Sequence, residues 1–327
     1  MAMILTVTPN AALDVTYEVD SLERGASHRV RAVRERAGGK GVNVARIAHA
    51  LGCEVTATGL LGGAVGELVR DDLDRSGLAH DFVSVSGTSR RTLTVVESGS
   101  GEATVLNEAG PHVRPEEWSA FLDHFGGVAA SASVVVLSGS LPPGVPADAY
   151  AELARRAPGQ VVLDADGMTL AKGVHGRPDV VKPNAEELVR ATVAASAADV
   201  AGEGERDTAG RPMLAEVVGR AEALRAAGAG NVLVSLGADG MLAVTADGVH
   251  WAAPPEAVVG NPTGAGDAAV AAIARALLLG LPWDEALRDA VALSAAAVAA
   301  PLAGDFDPDL YVRLLPEIVI EGLSCPS

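Results

Sequence analysis

The sequence NPTGAGD, residues 261–267, is followed by an apolar stretch at 268–279. Asn and Pro favour a turn and the apolar stretch is typical of a buried helix, so Gly264, Ala265 and Gly266 are expected at a helix N-terminus. Unpaired backbone N–H groups and the helix dipole attract anions there, and glycine lets an anion approach closely. This stretch therefore predicts a phosphate-binding turn.

Asp267 falls in the first turn of the same predicted helix. A carboxylate there also has a purely structural use, because it caps the helix and complements the dipole. Phosphoryl transfer, however, needs donors for the charge on the migrating group and a base at the attacking hydroxyl. The turn and Asp267 together suit that chemistry, and we expect the dipole to keep Asp267 ionised at pH 7.

The rest of the chain alternates short apolar runs with helix-period segments, which predicts a doubly wound α/β fold with a mostly parallel sheet. The expected strands are residues 4–8, 55–60, 134–138, 161–164, 180–182 and 232–236. The expected helices include 42–51, 117–125, 147–156, 214–227 and a buried Ala-rich helix at 290–303. Ligands are then expected at the carboxyl ends of the strands.

Two regions interrupt this pattern with polar–apolar alternation, which is typical of a sheet with one solvated face. They contain the predicted strands 13–20, 29–33, 91–97 and 104–107. We interpret them as a small discontinuous β-sheet lid over the substrate end of the main domain. The lid comprises residues 13–36 and 87–110, and the α/β domain comprises 1–12, 37–86 and 111–327.

Four further motifs are candidate ligand contacts. In GGKGVN, residues 38–43, Gly39 would admit a ligand to the backbone, Lys40 would meet an anion and Asn43 would bind hydroxyls. Ser138 and Ser140 lie in a polar turn after a predicted strand. In KPNAEE, residues 182–187, Asn184 and Glu187 have two possible roles. They fit a helix capping box, and they also fit a position near Mg²⁺. Ser235, Gly237 and Gly240 form a hairpin turn that can also line a nucleotide site.

Composition excludes several classes of function. The net charge of −17 and the 3% aromatic content do not suit a nucleic-acid interface. Two cysteines, Cys53 and Cys325, make neither a disulfide framework nor a metal site, and the seven histidines have no metal-binding spacing. Without a signal-like or membrane-spanning segment, a cytoplasmic protein is expected. Residues 194–211 are polar and acidic, which indicates a solvated loop.

The motifs, in this order, resemble those of the ribokinase-like pfkB carbohydrate kinase family, from Thr6 to about Asp309. Within it the likeness is greatest to the hexose-phosphate kinases, the 1-phosphofructokinase and tagatose-6-phosphate kinase group. One departure is Ala268, where that group usually has Ser or Thr after the Asp.

The resemblance implies ATP and Mg²⁺ as cofactors and a sugar phosphate as substrate. It makes Asp267 the base and residues 264–266 the anion hole, with Asp14, Gly39 and Asn43 on the sugar hydroxyls. Lys182, Asn184, Ser235, Gly237 and Gly240 would serve the nucleotide, and Glu187 the metal through water. The residues expected to hold the acceptor phosphate are basic or hydroxyl-bearing: Lys40, Arg29, Arg90 or Arg91, Ser138 and Ser140.

Several points stay open from the sequence. The chain could act on an unphosphorylated sugar or nucleoside, or be a sensor that binds a sugar phosphate without catalysis. The preferred hexose phosphate is not fixed, and either fructose 1-phosphate or tagatose 6-phosphate suits the motifs. An exposed face of the lid would also allow a homodimer.

Overall fold

The computed structural model describes residues 2–195 and 214–323, and the element bounds follow the chain. The strands are β1 Met3–Thr8, β2 Ala12–Val19, β3 Ala32–Gly38, β4 Val55–Leu61, β5 His80–Ser84, β6 Arg90–Glu97, β7 Ala103–Asn107, β8 Ala132–Ser138, β9 Gln160–Asp164, β10 Val180–Val181, β11 Asn231–Ser235, β12 Met241–Val244, β13 Val249–Ala252 and β14 Glu321–Leu323. The helices are α1 Lys40–Ala50, α2 Gly63–Arg75, α3 Pro115–Ala129, α4 Ala149–Arg156, α5 Gly167–Gly173, α6 Ala185–Ala195, α7 Leu214–Ala227, α8 Ala265–Leu279, α9 Trp283–Val298 and α10 Pro308–Leu314. Most of the acidic segment 194–211, and Cys325, lie outside the described residues.

The large sheet has the order β14-β13-β12-β11-β10-β9-β8-β1-β4-β5. The seven neighbouring strands from β11 to β5 in this order all pair in parallel. At the β11 end, β12, β13 and β14 extend the sheet with antiparallel pairing. One apolar cluster joins the sheet to α1, α8 and α9, and a second joins it to α3, α4 and α7. Because the parallel strands are covered on both faces, they consist of continuous apolar runs. The doubly wound α/β prediction is confirmed.

A second sheet has four strands in the order β3-β2-β6-β7. Strand β2 pairs in parallel with β6 and antiparallel with β3, so Asp14 lies beside Arg36 on one side and Thr92 on the other. Leu13, Val15 and Val19 of β2 are buried, as the alternation predicts. Strand β7 is exposed along its whole length. This sheet is the small β-sheet predicted from the two interrupting regions.

Several predicted elements have different bounds, and two of them differ most. The strand expected at 29–33 runs instead from Ala32 to Gly38, because the antiparallel register pairs Glu18 with Ala32 and Ala12 with Gly38. The polar sequence of this strand is not typical of a buried strand, because several of its side chains are exposed. The helix expected at 290–303 runs instead from Trp283 to Val298. Pro301 disfavours helical backbone at the residue before it, and the Val298 carbonyl accepts a hydrogen bond from Asn261 N at 2.9 Å.

Within residues 2–195 and 214–323, no helix has both the length and the apolar character that a membrane span needs.

Candidate active site

A cavity of about 700 Å³ lies where the carboxyl ends of β9 and β11 meet the beginning of α8. The small sheet contributes Asp14, Arg90 and Asn107 to its lining. The cavity thus lies between the two sheets, at the edge where ligands are expected in a doubly wound fold. It contains most of the residues predicted from the motifs.

The turn before α8 has the geometry of an anion-binding site. Gly264 is the N-cap and has φ +92°, in the left-handed region that favours glycine. A Cβ at this position would lie 2.9 Å from the Cα of Ala303, so a side chain would also collide with the loop behind it. Lys182 brings its Nζ within 3.3 Å of the position that a Cβ would take at Gly266. The N-terminus of α8 and a lysine ammonium therefore lie close together, and within the turn Ala265 N donates to the Pro262 carbonyl at 3.2 Å.

Asp267 is 6% exposed, and its Oδ2 accepts a hydrogen bond from Asn43 Nδ2 at 2.8 Å. Burial, together with the negative charge of Asp164, raises the pKa of Asp267 to about 7, although Lys40, Asn43 and Lys182 favour the ionised form. With a pKa of about 7, the expectation that Asp267 stays ionised at pH 7 holds for about half of the free protein, because desolvation by burial has the largest effect on this carboxyl. A pKa near the working pH is the value that favours general base catalysis.

Asp164, at the end of β9, organises the positive charges of the cavity. Its carboxylate is fully buried, and it lies 3.3 Å from Lys40 Nζ and 3.4 Å from Lys182 Nζ. Burial alone would raise the pKa of Asp164, but the two lysines outweigh burial and lower it. The motifs do not single out Asp164. The available signal is a carboxylate that ends a wholly apolar strand, where the carboxyl ends of parallel strands carry ligand contacts.

Asn184 and Glu187 form the predicted capping box at the start of α6. Asn184 N donates to Glu187 Oε2, and Glu187 N donates to Asn184 Oδ1, each at 2.8 Å. The other carboxylate oxygen, Oε1, lies 3.5 Å from Lys40 Nζ. Burial lowers the pKa of Lys40, but Asp164, Glu187 and Asp267 outweigh this effect and raise it. Glu187 therefore caps α6 with one carboxylate oxygen and faces the cavity with the other.

A divalent metal fits this site only with help from a ligand. The described parts of the chain contain no cluster of three His, Cys, Asp or Glu side chains that could hold a metal ion. Asp164 and Glu187 both line the cavity and face the same lysine. Mg²⁺ commonly binds through one or two carboxylates, waters and substrate phosphates, so these two acids suit a metal that arrives with a nucleotide.

The hairpin between β11 and β12 forms another wall of the cavity. Ser235, Gly237 and Gly240 line it, and a short 3-10 turn at Gly237–Asp239 connects the two strands. The backbone of Ser235 also makes a bridge with Asn184. The hairpin interpretation is confirmed, and the turn lies beside the capping box.

The small sheet contributes the guanidinium of Arg90 and the carboxyl group of Asp14 to the cavity. Arg90 Nε donates to the Asn10 carbonyl at 3.0 Å, and its NH1 lies 3.4 Å from Thr92 Oγ1 and 3.5 Å from Asn107 Oδ1. Burial raises the pKa of Asp14 to about 6, and Thr92 and Arg90 act in the opposite direction. Gly39 also lines the cavity.

Four predicted residues do not line the cavity. Arg29 and Arg91 are exposed, and of the two neighbouring arginines only Arg90 points into the cavity. Ser138 is buried beneath Asp164, 3.3 Å from its Oδ2. Ser140 Oγ accepts a hydrogen bond from Asn10 Nδ2 at 3.0 Å. The basic cluster predicted for an acceptor phosphate is thereby reduced to Arg90 at the small-sheet end and Lys40 beside Asp164.

The large doubly wound sheet, the small second sheet and the glycine-rich start of α8 between them form a ribokinase-like fold. The profile of the pfkB family of carbohydrate kinases matches residues 6–310. The chain belongs to the pfkB family of carbohydrate kinases.

Solved structures agree with this assignment. Phosphofructokinase-2 from Escherichia coli, in complex with potassium, is 26% identical over 97% of this chain and 99% of its own, with a TM-score of 0.86. A Thermotoga maritima protein named as a possible 1-phosphofructokinase is 25% identical over 98% of this chain and 100% of its own, with a TM-score of 0.84. Ribokinase from Thermotoga maritima, 20% identical over 97% and 100% with a TM-score of 0.74, shares the fold.

Proposed function

We propose that this carbohydrate kinase transfers a phosphoryl group from ATP to a hydroxymethyl group of a ketohexose phosphate, either fructose 1-phosphate or tagatose 6-phosphate. The observation that carries the proposal is the position of Asp267. Its buried carboxylate lies beside the Gly264–Gly266 turn, is held by Asn43 at 2.8 Å and has a pKa of about 7. A base and an anion site therefore adjoin in one cavity.

Each residue at this end then has a distinct task. Asp267 accepts the proton of the attacking sugar hydroxyl, and Asn43 orients the carboxylate that receives it. The N–H groups of residues 264–266 and the Lys182 ammonium offset the negative charge on the migrating phosphoryl group. Asp164 pairs with both Lys182 and Lys40 and aims them into the cavity. An acid that both lysines share is a simple way to hold two like charges close together.

The nucleotide is proposed to lie along Asn184, Ser235, Gly237 and Gly240. Glu187 and Asp164 would hold Mg²⁺, partly through water, and the metal would neutralise charge on the nucleotide phosphates. Because Lys40 lies between those two acids, we expect its ammonium group to contact the nucleotide phosphates at least as closely as the sugar.

The acceptor phosphate is proposed to bind Arg90. This arginine lines the cavity from the small sheet, with its guanidinium near Thr92 and Asn107, whereas Lys182 follows β10 of the large sheet. Guanidinium groups pair with phosphate through two parallel hydrogen bonds. Phosphofructokinase-2 from Escherichia coli has been solved in complex with fructose-6-phosphate, and its 27% identity to this chain supports a phosphorylated hexose. Asp14, on the neighbouring strand, would accept sugar hydroxyls.

A coupled ADP-release assay tests the proposal on fructose 1-phosphate, tagatose 6-phosphate, fructose 6-phosphate, fructose and ribose. We expect the highest kcat/KM on one of the phosphorylated ketohexoses. Activity confined to fructose or ribose would overturn the assignment of Arg90 but keep the kinase. Binding of a sugar phosphate without turnover of any compound would favour the sensor alternative.

The small sheet is proposed to act as a lid, formed from residues 13–36 and 87–110, that closes over the sugar and excludes water from the phosphoryl group. Its outer surface carries Val33 and Leu106, which are 57% and 56% exposed. Because exposed apolar side chains on a sheet favour association, we propose a homodimer that pairs two lids. Sedimentation equilibrium at micromolar concentration tests this, and a monomer across the range would refute it.

A further inference from the structure

A second cavity, of about 390 Å³, shares a wall with the candidate active site. The common wall is the loop 303–305: Ala303 lines the first cavity, and Gly304 and Asp305 line the second. The second cavity lies at the ends of α1 and α2. Its lining combines three basic side chains, one carboxylate and apolar groups, namely Arg36, Arg46, His49, Asp305, Leu78 and Phe306.

Arg46 is an unusual residue in this lining because it is only 9% exposed. Its NH2 pairs with Asp72 Oδ2, which also accepts a hydrogen bond from Ala37 N at 2.9 Å. Its Nε is buried and has no hydrogen-bond partner among the residues that the structure describes. A buried guanidinium donor without an acceptor is unfavourable, so this group favours the binding of an anion.

Arg36 supplies the second guanidinium. It makes a bidentate pair with Asp305, with both N–O distances at 2.7 Å, and its NH1 also lies 3.4 Å from the Ala303 carbonyl. Burial and the neighbouring charge of Arg36 together lower the pKa of Arg46. Two arginines therefore face one small cavity. Arg36 is paired with Asp305, which lines the cavity, and Arg46 is paired with Asp72, which does not, so Arg46 Nε is the donor that stays without an acceptor among the described residues.

We propose that the second cavity binds a small anion, a phosphate or carboxylate with a compact apolar body, between Arg36 and Arg46. Guanidinium groups recognise both oxyanions in the same planar, bidentate way. The anion would accept a hydrogen bond from Arg46 Nε and would compete with Asp305 for Arg36. Leu78 and Phe306 suit the apolar part of such a ligand.

The geometry also connects this cavity to catalysis. Gly304 has φ +83°, and a Cβ there would lie 3.1 Å from Asn43 Oδ1 and 3.4 Å from Arg46 Cδ. Asn43 in turn donates to the carboxylate of Asp267. An anion that takes Arg36 from Asp305 releases the loop that backs both Gly264 and Asn43. Turnover is therefore expected to fall as the second cavity fills.

The test follows the Nε–Hε resonance of Arg46 by NMR, assigned by its loss in Arg46→Lys. Wild-type protein is titrated with sodium phosphate or sodium isobutyrate against sodium chloride of equal ionic strength. Two variants of Ser76, an exposed residue of the lining, are compared, and neither alters the ion pairs of Arg36 and Arg46. Ser76→Glu adds a negative charge beside the cavity, and Ser76→Gln adds the same bulk without charge.

We expect a saturable shift of the Arg46 resonance in wild type and in Ser76→Gln. Ser76→Glu should weaken the binding by roughly fivefold or more, because the added charge lies within a Debye length of the anion. The tighter of the two probes identifies phosphate or carboxylate as the natural group. The absence of a saturable shift with either probe, or equal affinities in the two Ser76 variants, would overturn the proposal.

Discussion

Replacing Asp267 with asparagine removes the proposed base while keeping the shape of the side chain. The Asn43 Nδ2 donor, 2.8 Å from Asp267 Oδ2, can still donate to an amide oxygen at the same position. The site should therefore remain assembled. General base catalysis contributes about 10²- to 10⁴-fold to a rate, so kcat should fall by about that factor while the KM for the sugar changes little.

The same substitution should make the protein more stable at neutral and alkaline pH. Burial raises the pKa of Asp267 from 3.8 to about 7, so the folded state holds this proton more tightly than the unfolded state does. The contribution of the group is fully present below about pH 4 and is lost as the pH rises towards 7. The loss corresponds to about 4 kcal/mol, a value good to its order of magnitude. Asp267→Asn avoids that loss.

Two measurements check this prediction. The coupled ADP-release assay gives kcat and KM, and calorimetry at pH 4.5, 6 and 8 gives the difference in melting temperature, expected to grow with pH to several degrees. Asp71→Asn is the matched control, since it makes the same chemical change at an exposed position on α2. Turnover within tenfold of wild type, or a variant less stable than wild type at pH 8, would refute the proposed role of Asp267.

Four further results are expected. In wild type, kcat/KM should fall as the pH drops below about 7, because Asp267 must be deprotonated to act; a flat profile from pH 5 to 8 would contradict this. Arg90→Gln should raise the KM for a ketohexose phosphate by roughly 10- to 100-fold, the loss of a charged hydrogen bond, and leave kcat on fructose unaltered. Glu187→Gln should raise the Mg²⁺ concentration for half-maximal activity about tenfold in a metal titration. Leu106→Asp, an exposed change, should convert the dimer to monomer in sedimentation, and an unchanged dimer would exclude the lid interface.

The sequence predicts the large sheet well because its strands are buried on both faces. Continuous apolar runs such as those of β1 and β8 are typical of strands that are buried on both faces, and their positions are predicted to within two residues. The solvated strand β3 is harder. Its exposed polar side chains resemble a loop, and only the register with β2 reveals where it begins and ends.

The candidate site is predictable where a motif couples backbone geometry with chemistry. Gly264, Gly266 and Asp267 belong to one turn, so the sequence places all three together. The charge pairs between elements cannot be predicted in the same way. Asp164 lies on β9, while Lys40 and Lys182 come from chain segments more than a hundred residues apart, and only the folded sheet brings the three within 3.5 Å. The raised pKa of Asp267 likewise follows from burial, which the sequence does not state.

The pairing of Lys40 changes the argument for the substrate. From the sequence, Lys40 and the lid arginines form one basic group for the acceptor phosphate. In the structure Lys40 is paired with Asp164 and Glu187, the two acids proposed for the metal, whereas Arg90 lies with Asp14 on the small sheet. On our proposal the two cations bind different phosphates, Lys40 those of the nucleotide and Arg90 that of the sugar. Lys40→Met should therefore impair the use of ATP, and Arg90→Gln the use of the sugar phosphate. If Lys40→Met raised only the KM for the sugar phosphate, Lys40 and the lid arginines would again be assigned to one basic group for the acceptor phosphate.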